Sequence, residues 1–264
     1  MASLEINVNQ VNSDFNGIKK AIIDTGVEVA DGTATSEYAD KVNEVYEKGK
    51  QAEYDRFWDS FQKNGTLQEY QFAFGSRAWN SELFKPKYDL IPTNLYMAFR
   101  QTGIVNLEEC IEKAGIKWDT SNMRAGMFGY AFSESGLLEV IPEIIVPIGN
   151  RLGYTFYGGQ YIHTIRKITI LDENSTFDYA FTNCKALKNI VFEGNIGQTI
   201  SFAQSSLLKK ASIQSIISCL SNTASGKTLT VNQTAVNTAF GSTTSEEWLN
   251  LVATKPNWTI SLSN

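Results

Sequence analysis

A chain of 264 residues that is 42% apolar and 12% aromatic can bury a sizeable core, as one large domain or two small ones. The net charge of −5 excludes a general phosphate-backbone binder: residues 1–85 hold 9 Lys/Arg against 14 Asp/Glu, and residues 86–264 hold 14 of each. Cys110, Cys184 and Cys219 form neither a CxxC pair nor a metal spacing and read as buried free thiols, and no stretch is apolar enough for a membrane span.

The chain opens with Leu4, Ile6 and Val8 in alternation, the pattern of a short strand. A brief helix is expected around Phe15–Asp24, ended by Gly26, and residues 1–35 are read as an attachment segment. Ser36 suits an N-cap, with Glu37 and Asp40 in the first turn, where the helix dipole favours acids. Tyr38, Val42, Val45 and Tyr46, then Tyr54, Phe57, Trp58 and Phe61, recur at helical spacing, with a break expected at Gly49 and a stop at Asn64–Gly65. Residues 36–85 thus read as an acidic, aromatic-rich helical region. Its stripe packs on the chain's own next segment, or forms a self-association face of Tyr38, Val42, Val45, Tyr46, Phe57, Trp58 and Phe61.

Residues 66–91 are aromatic and irregular, and are expected to cap a repeated segment. From 86 to 205 one pattern returns. Its anchors are Phe99, Phe132, Phe156 and Phe181, at spacings of 33, 24 and 25 residues. Leu138, Ile162 and Leu187 come at the sixth place after the last three anchors, and Ile141, Ile165 and Ile190 at the ninth. The unit at Phe99 is irregular, with Ile104 and Leu107 each early and a helical insertion at Leu107–Ala114 closed by Gly115. A period in the twenties implies a stack of small units, none of which buries its apolar face alone. Asn183–Cys184 suits a place where side chains bond stacked backbone carbonyls.

Residues 206–264 read as a C-terminal cap. Leu207 to Leu220 form an amphipathic helix, Thr228–Val231 a strand, Thr234–Phe240 and Ser245–Thr254 helices, and Trp258–Leu262 a closing strand. The expected fold class is α+β: an N-terminal helical segment, then a short leucine-rich-repeat-like solenoid with an α/β cap.

Chemistry is sparse. The single histidine, His163, lies in a strand-like alternation and reads first as a solvent-facing strand residue. Glu108–Glu109, Asp172–Glu173 and Glu246–Glu247 are sequence neighbours whose side chains point apart, so adjacency gives no shared site. Gly158–Gly159 lacks the Lys-Ser/Thr of a phosphate loop. Tyr154, Phe156, Tyr157 and Tyr161 cluster around that turn. Phe156 is expected in the core, and the others could form an aromatic platform that stacks on sugars. Tyr157, Tyr161 and His163 are the candidate ligand contacts. No catalytic, metal or cofactor residues are assigned.

The pattern Phe181-x2-Cys-x2-Leu-x2-Ile190 resembles the leucine-rich repeats of the BspA-like bacterial surface family, over roughly 120 residues. Gly136 and Gln160 stand near the cysteine position in the other units. The segments Ile18–Val27, Ser36–Val42 and Glu44–Trp58, the Phe84–Tyr88 box and the Lys227–Val231 and Lys255–Ile260 endings are similar to tail-module proteins of Firmicutes phages and prophages. That resemblance implies a non-enzymatic tail or baseplate component, assembled in the bacterial cytoplasm and located in a virion or phage-tail-like particle. The implied partners are other tail or baseplate proteins, met through the N-terminal region, further copies of the chain, and a host cell-surface glycan or protein. Nucleic acid and membrane insertion are not expected. The opening of the chain shows no basic or apolar export signal. A bacterial surface adhesin with leucine-rich repeats and a cell-wall or polysaccharide-degrading enzyme are the other function classes.

Overall fold

The computed structural model describes residues 17–30, 37–62 and 68–264. The Leu4–Val8 strand, the Ser36 cap and the Asn64–Gly65 stop lie outside the described residues. The chain divides into two compact units, Met1–Lys63 and Asn64–Asn264.

In the first unit, α1 covers residues 17–24. It ends where Gly26 takes φ 79° and its N–H donates to Ile23, while the Thr25 hydroxyl donates to Ile22. Ile22, Val27 and Val29 form a small buried cluster with Val45 packed against it. α2 is one continuous helix, Tyr38–Gln62, so the break expected at Gly49 does not occur. One glycine weakens a helix by only about 1 kcal/mol, and the Lys48–Glu44 and Lys50–Glu47 ion pairs bracket it.

The second unit is mixed α/β, and every strand pairing is parallel. β1 (Gln68–Glu69) pairs with β2 (Pro92–Asn94). α3 (Leu107–Ala114) begins at Asn106, whose side chain accepts from Glu109 N–H, and closes at Gly115 with φ 66°, as the sequence predicts. β3 (Val140–Ile141) and β4 (Ile144–Val146) pair with one edge of β5 (Thr164–Ile170), and β6 (Asn189–Gly194) pairs with the other. Ile141, Ile165 and Ile190 fall in one register row, so the ninth residues after the anchors lie side by side. Their side chains are buried, as are Leu138, Ile162 and Leu187.

A third sheet holds β7 (Ile200–Phe202), β8 (Lys227–Asn232) and β9 (Trp258–Ser263). α4 (Lys210–Ser218) connects the first two strands, and α5 (Gln233–Phe240) and α6 (Glu246–Ala253) connect the last two. Parallel neighbours need such crossovers. α4 also covers β6. The Ser212 hydroxyl accepts from Ile190 N–H at 2.9 Å, and the Ser215 hydroxyl accepts from Phe192 N–H at 2.8 Å. Two serines thus pair a strand edge that would otherwise present free N–H groups.

The anchors form one column of rings. Phe74, Phe99, Phe132, Phe156, Phe181 and Phe202 stack in order, with centroids 5.0, 5.3, 5.8, 5.2 and 4.5 Å apart and planes within 26°. All six are buried to within 2% of full burial. Phe74 and Phe202 extend the column beyond the sequence pattern. Each stacked pair adds about 0.5–1.5 kcal/mol beyond area burial.

The backbone beside the column forms a second ladder. Phe74, Phe99, Phe132 and Phe156 each donate their N–H to the residue just before the next anchor, at 2.8–3.1 Å. Phe72, Met97 and Tyr154, two residues before an anchor, and Gln101, Glu134 and Gly158, two after one, donate in the same direction, for example Tyr154 to Asp178 and Gly158 to Thr182. The residues between them close turns within their own unit, as Ala98 does to Leu95 and Thr102 to Phe99. With this alternation the units of Phe99, Phe132, Phe156 and Phe181 each have left-handed backbone at two places. Small residues fill the third place after the anchors, where Thr102, Ser135, Gly159, Cys184 and Ser205 are all buried. The Cys184 thiol donates to Phe156 O at 3.2 Å, a stacked carbonyl of the kind expected there.

Cys110 and Cys184 are buried free thiols, and Cys219 is partly exposed. Burial pushes the Cys184 thiol from 9.0 up to about 12. Its folded value lies above its unfolded one. Its contribution to stability is therefore complete below about pH 9 and declines as pH rises towards about 12. With a thiol reagent at pH 8, Cys219 should be modified in the native protein, and Cys184 only after unfolding. Equal rates for the two would contradict this placement.

Candidate functional site

The left-handed positions form two rows. Two residues after the anchors stand Gln101, Glu134, Gly158 and Asn183, with φ of 58°, 49°, 70° and 60°. Two residues before them stand Phe72, Met97, Tyr130, Tyr154 and Tyr179, with φ of 59°, 54°, 57°, 58° and 54°. Left-handed backbone costs an L-residue roughly 1–2 kcal/mol, and glycine and asparagine meet that cost best. The second row contains neither.

What the second row provides is an aromatic ribbon on the outer side of the ladder. Tyr130 stacks on Tyr154 at 4.8 Å and 15°, and Tyr154 stacks on Tyr179 at 4.9 Å and 23°. Phe72, Tyr96 and Tyr130 continue it edge to face at 5.8 and 6.2 Å. Tyr130 and Tyr154 are half-buried, whereas Phe72 is 57% and Tyr179 61% exposed. Among the described residues no protein group bonds the hydroxyls of Tyr130, Tyr154 and Tyr179. Desolvation, with Tyr130 and Tyr179 on either side, raises the Tyr154 phenol above its ordinary value. Beside the ribbon, Arg100 Nη2 meets Glu134 Oε2 at 2.9 Å and Gln101 Nε2 meets the same oxygen at 3.0 Å. The Arg100 bond holds the Glu134 carboxyl below its usual range.

The predicted ligand contacts separate. Tyr157 is half-buried and tilts against Tyr154 at 5.6 Å, so it borders the ribbon. Tyr161 is 55% exposed and, among the described residues, meets no other ring. His163 stands just before β5, half-buried, with Nε2 3.1 Å from Glu139 Oε2 and Nδ1 3.1 Å from Thr164 Oγ1. It pairs with the neighbouring unit instead of facing solvent freely. The sequence reading missed Tyr130 and Tyr179, although both keep the anchor spacing, two residues ahead of Phe132 and Phe181.

The predicted assembly face also divides. Val42 is 51% and Tyr46 63% exposed. Val45 instead packs on the Ile22 cluster. Trp58 is only 1% exposed, with the rings of Tyr54 and Phe57 at 6.0 and 5.5 Å, which removes it from a free face. Phe57 is half-buried. The side chains of Tyr38 and Phe61 lie outside the described residues.

Lys255 is a buried ammonium in the cap, 8% exposed beside a hollow of about 290 Å³. Its Nζ donates to Leu220 O at 2.5 Å and Asn222 Oδ1 at 3.0 Å, and desolvation lowers its pKa. Those bonds tie the end of α6 to the loop after α4. Among the described residues no His/Cys/Asp/Glu cluster could hold a metal, and no helix is long and apolar enough to cross a membrane. No family model, curated protein or solved structure matches the chain.

Proposed function

We propose that this chain is a non-enzymatic component of a phage tail or phage-tail-like particle. In this reading residues 68–264 are a short solenoid of the BspA-like leucine-rich-repeat kind, closed by an α/β cap, and its outer surface meets a host cell. The in-register Ile141, Ile165 and Ile190 and the single column of anchor rings support the solenoid reading. The observation that carries the surface role is the tyrosine ribbon, three stacked rings with unpartnered hydroxyls on a backbone that favours other residues. Tyrosine offers large contact area at little conformational cost, and it is enriched where proteins bind partners. The first unit, with Ile18, Ile23, Val42 and Tyr46 exposed, would join the chain to neighbouring tail proteins or to further copies of itself.

A tagged chain should co-purify with particles on a density gradient and be located in them by immunogold labelling. Deleting residues 1–65 should leave a soluble domain that no longer enters particles. Normal incorporation of the truncated chain would overturn the attachment role.

A further inference from the structure

The ribbon ends one rung before the column. Phe181 is covered by Phe202, but Tyr179 carries Tyr154 on one face and, among the described residues, no ring on the other. Two residues before Phe202 stands Ile200, buried in β7, so the chain supplies no further rung. The next unit instead presents Gln204, whose Oε1 accepts from Asn183 N–H at 2.6 Å. Gln204 and Asp178 are exposed, and Asn183 is half-buried. Asp178 and Asn183 thus flank Tyr179 along its own unit, and Gln204 reaches that unit from the next one.

A pyranose matches this setting. Its C–H face carries partial positive charge and lies against the negative face of an aromatic ring. Its hydroxyl edge suits amide and carboxylate side chains. Residues 86–264 carry equal numbers of both charges, which gives an ionic ligand no general attraction. We propose that Tyr179 is the stacking platform for a neutral pyranose of a cell-surface polysaccharide, which supplies the missing rung while Gln204, Asn183 and Asp178 bond its hydroxyls. This deepens the host-surface reading above and rests on it.

The full chain should be titrated with cellohexaose, chitohexaose, maltohexaose and polysaccharide released from Gram-positive cell walls, with adenine as a planar non-sugar. Saturation-transfer NMR reads the contact. At least one sugar should bind through its ring protons. Tyr179→Ala should weaken that binding by about tenfold or more, whereas Tyr179→Phe should stay within about threefold. Leu249→Ala, on an exposed site of α6, should bind as the native chain does. Thermal melts of all four variants, Tyr179→Leu included, check folding, and a Tyr179→Ala chain that does not fold leaves the ring-proton contact and its loss on Tyr179→Leu as the readout. Absence of binding to every sugar, preference for adenine, or unchanged binding by the folded Tyr179→Ala chain would each overturn the proposal. Particle association without sugar binding sinks the glycan inference alone. Sugar binding by a chain absent from particles sinks the tail reading alone.

Discussion

Replacing Phe156 by alanine should destabilise the second unit by about 3–5 kcal/mol. The ring is fully buried and stacked on both faces, by Phe132 at 5.8 Å and Phe181 at 5.2 Å. Its removal deletes two stacking contacts and leaves a hole between two rungs. Neighbouring rungs cannot close that hole easily, because hydrogen bonds from Phe132 to Thr155 and from Phe156 to Ala180 fix their spacing. In a domain of this size the melting temperature should fall by roughly 10 °C. Phe156→Leu keeps most of the volume and should cost less than half as much. Denaturant titration followed by circular dichroism measures both. A loss below about 1 kcal/mol for Phe156→Ala would mean that the column does not carry the core.

Gly194→Ala should be the most damaging single-methyl change, at roughly 3 kcal/mol or more, from left-handed strain plus overpacking. Gly194 has φ 87°, and a Cβ there would run into the carbonyl oxygen of Ile170, its partner at the end of the β5–β6 register. Backbone held in a ladder cannot move aside as a flexible side chain can. Gly226 provides the comparison. It has φ 65° with open space around it, so Gly226→Ala should show the conformational strain alone, about 1–2 kcal/mol. Equal losses at the two positions would show that the Ile170 contact does not constrain the chain.

Much of the fold is legible in the residues. The anchor phenylalanines, the sixth- and ninth-place aliphatics, α3 with its glycine cap, and the strand and helices after residue 206 all arise from apolar periodicity and capping. These are local signals, and local backbone preference agrees with the packed structure there. Phe74 escaped because its unit lacks the aliphatic pair: the sixth and ninth residues after it are Asn80 and the exposed Leu83. Its ring is recognised only by the one that it lies against. Phe202 has Leu208 at the sixth place after it, but the shorter interval of 21 residues breaks the period.

The candidate site was legible only in kind. A cluster of tyrosines around Gly158 suggested an aromatic platform, and Tyr154 and Tyr157 do lie at it. Tyr161 and His163 do not, because the turn at Gly159–Ile162 carries the chain away from the ribbon and into β5. Likewise, helical spacing placed Val45 and Trp58 on one stripe with Tyr46, although Trp58 is buried, Val45 is half-buried and Tyr46 is exposed. Spacing gives the face on which a side chain lies, but not what covers that face.

Units of about 25 residues recurring around a buried phenylalanine can be read from the residues alone, since apolar residues at a fixed interval must share a core. Which aromatics meet depends on the folded arrangement of the units. Tyr130, Tyr154 and Tyr179 are 24 and 25 residues apart in the chain and become neighbours at 4.8 and 4.9 Å only when successive units stack. The ribbon also ends at a particular rung, because the position two before Phe202 is Ile200, buried in β7, where a further tyrosine would be needed to continue it.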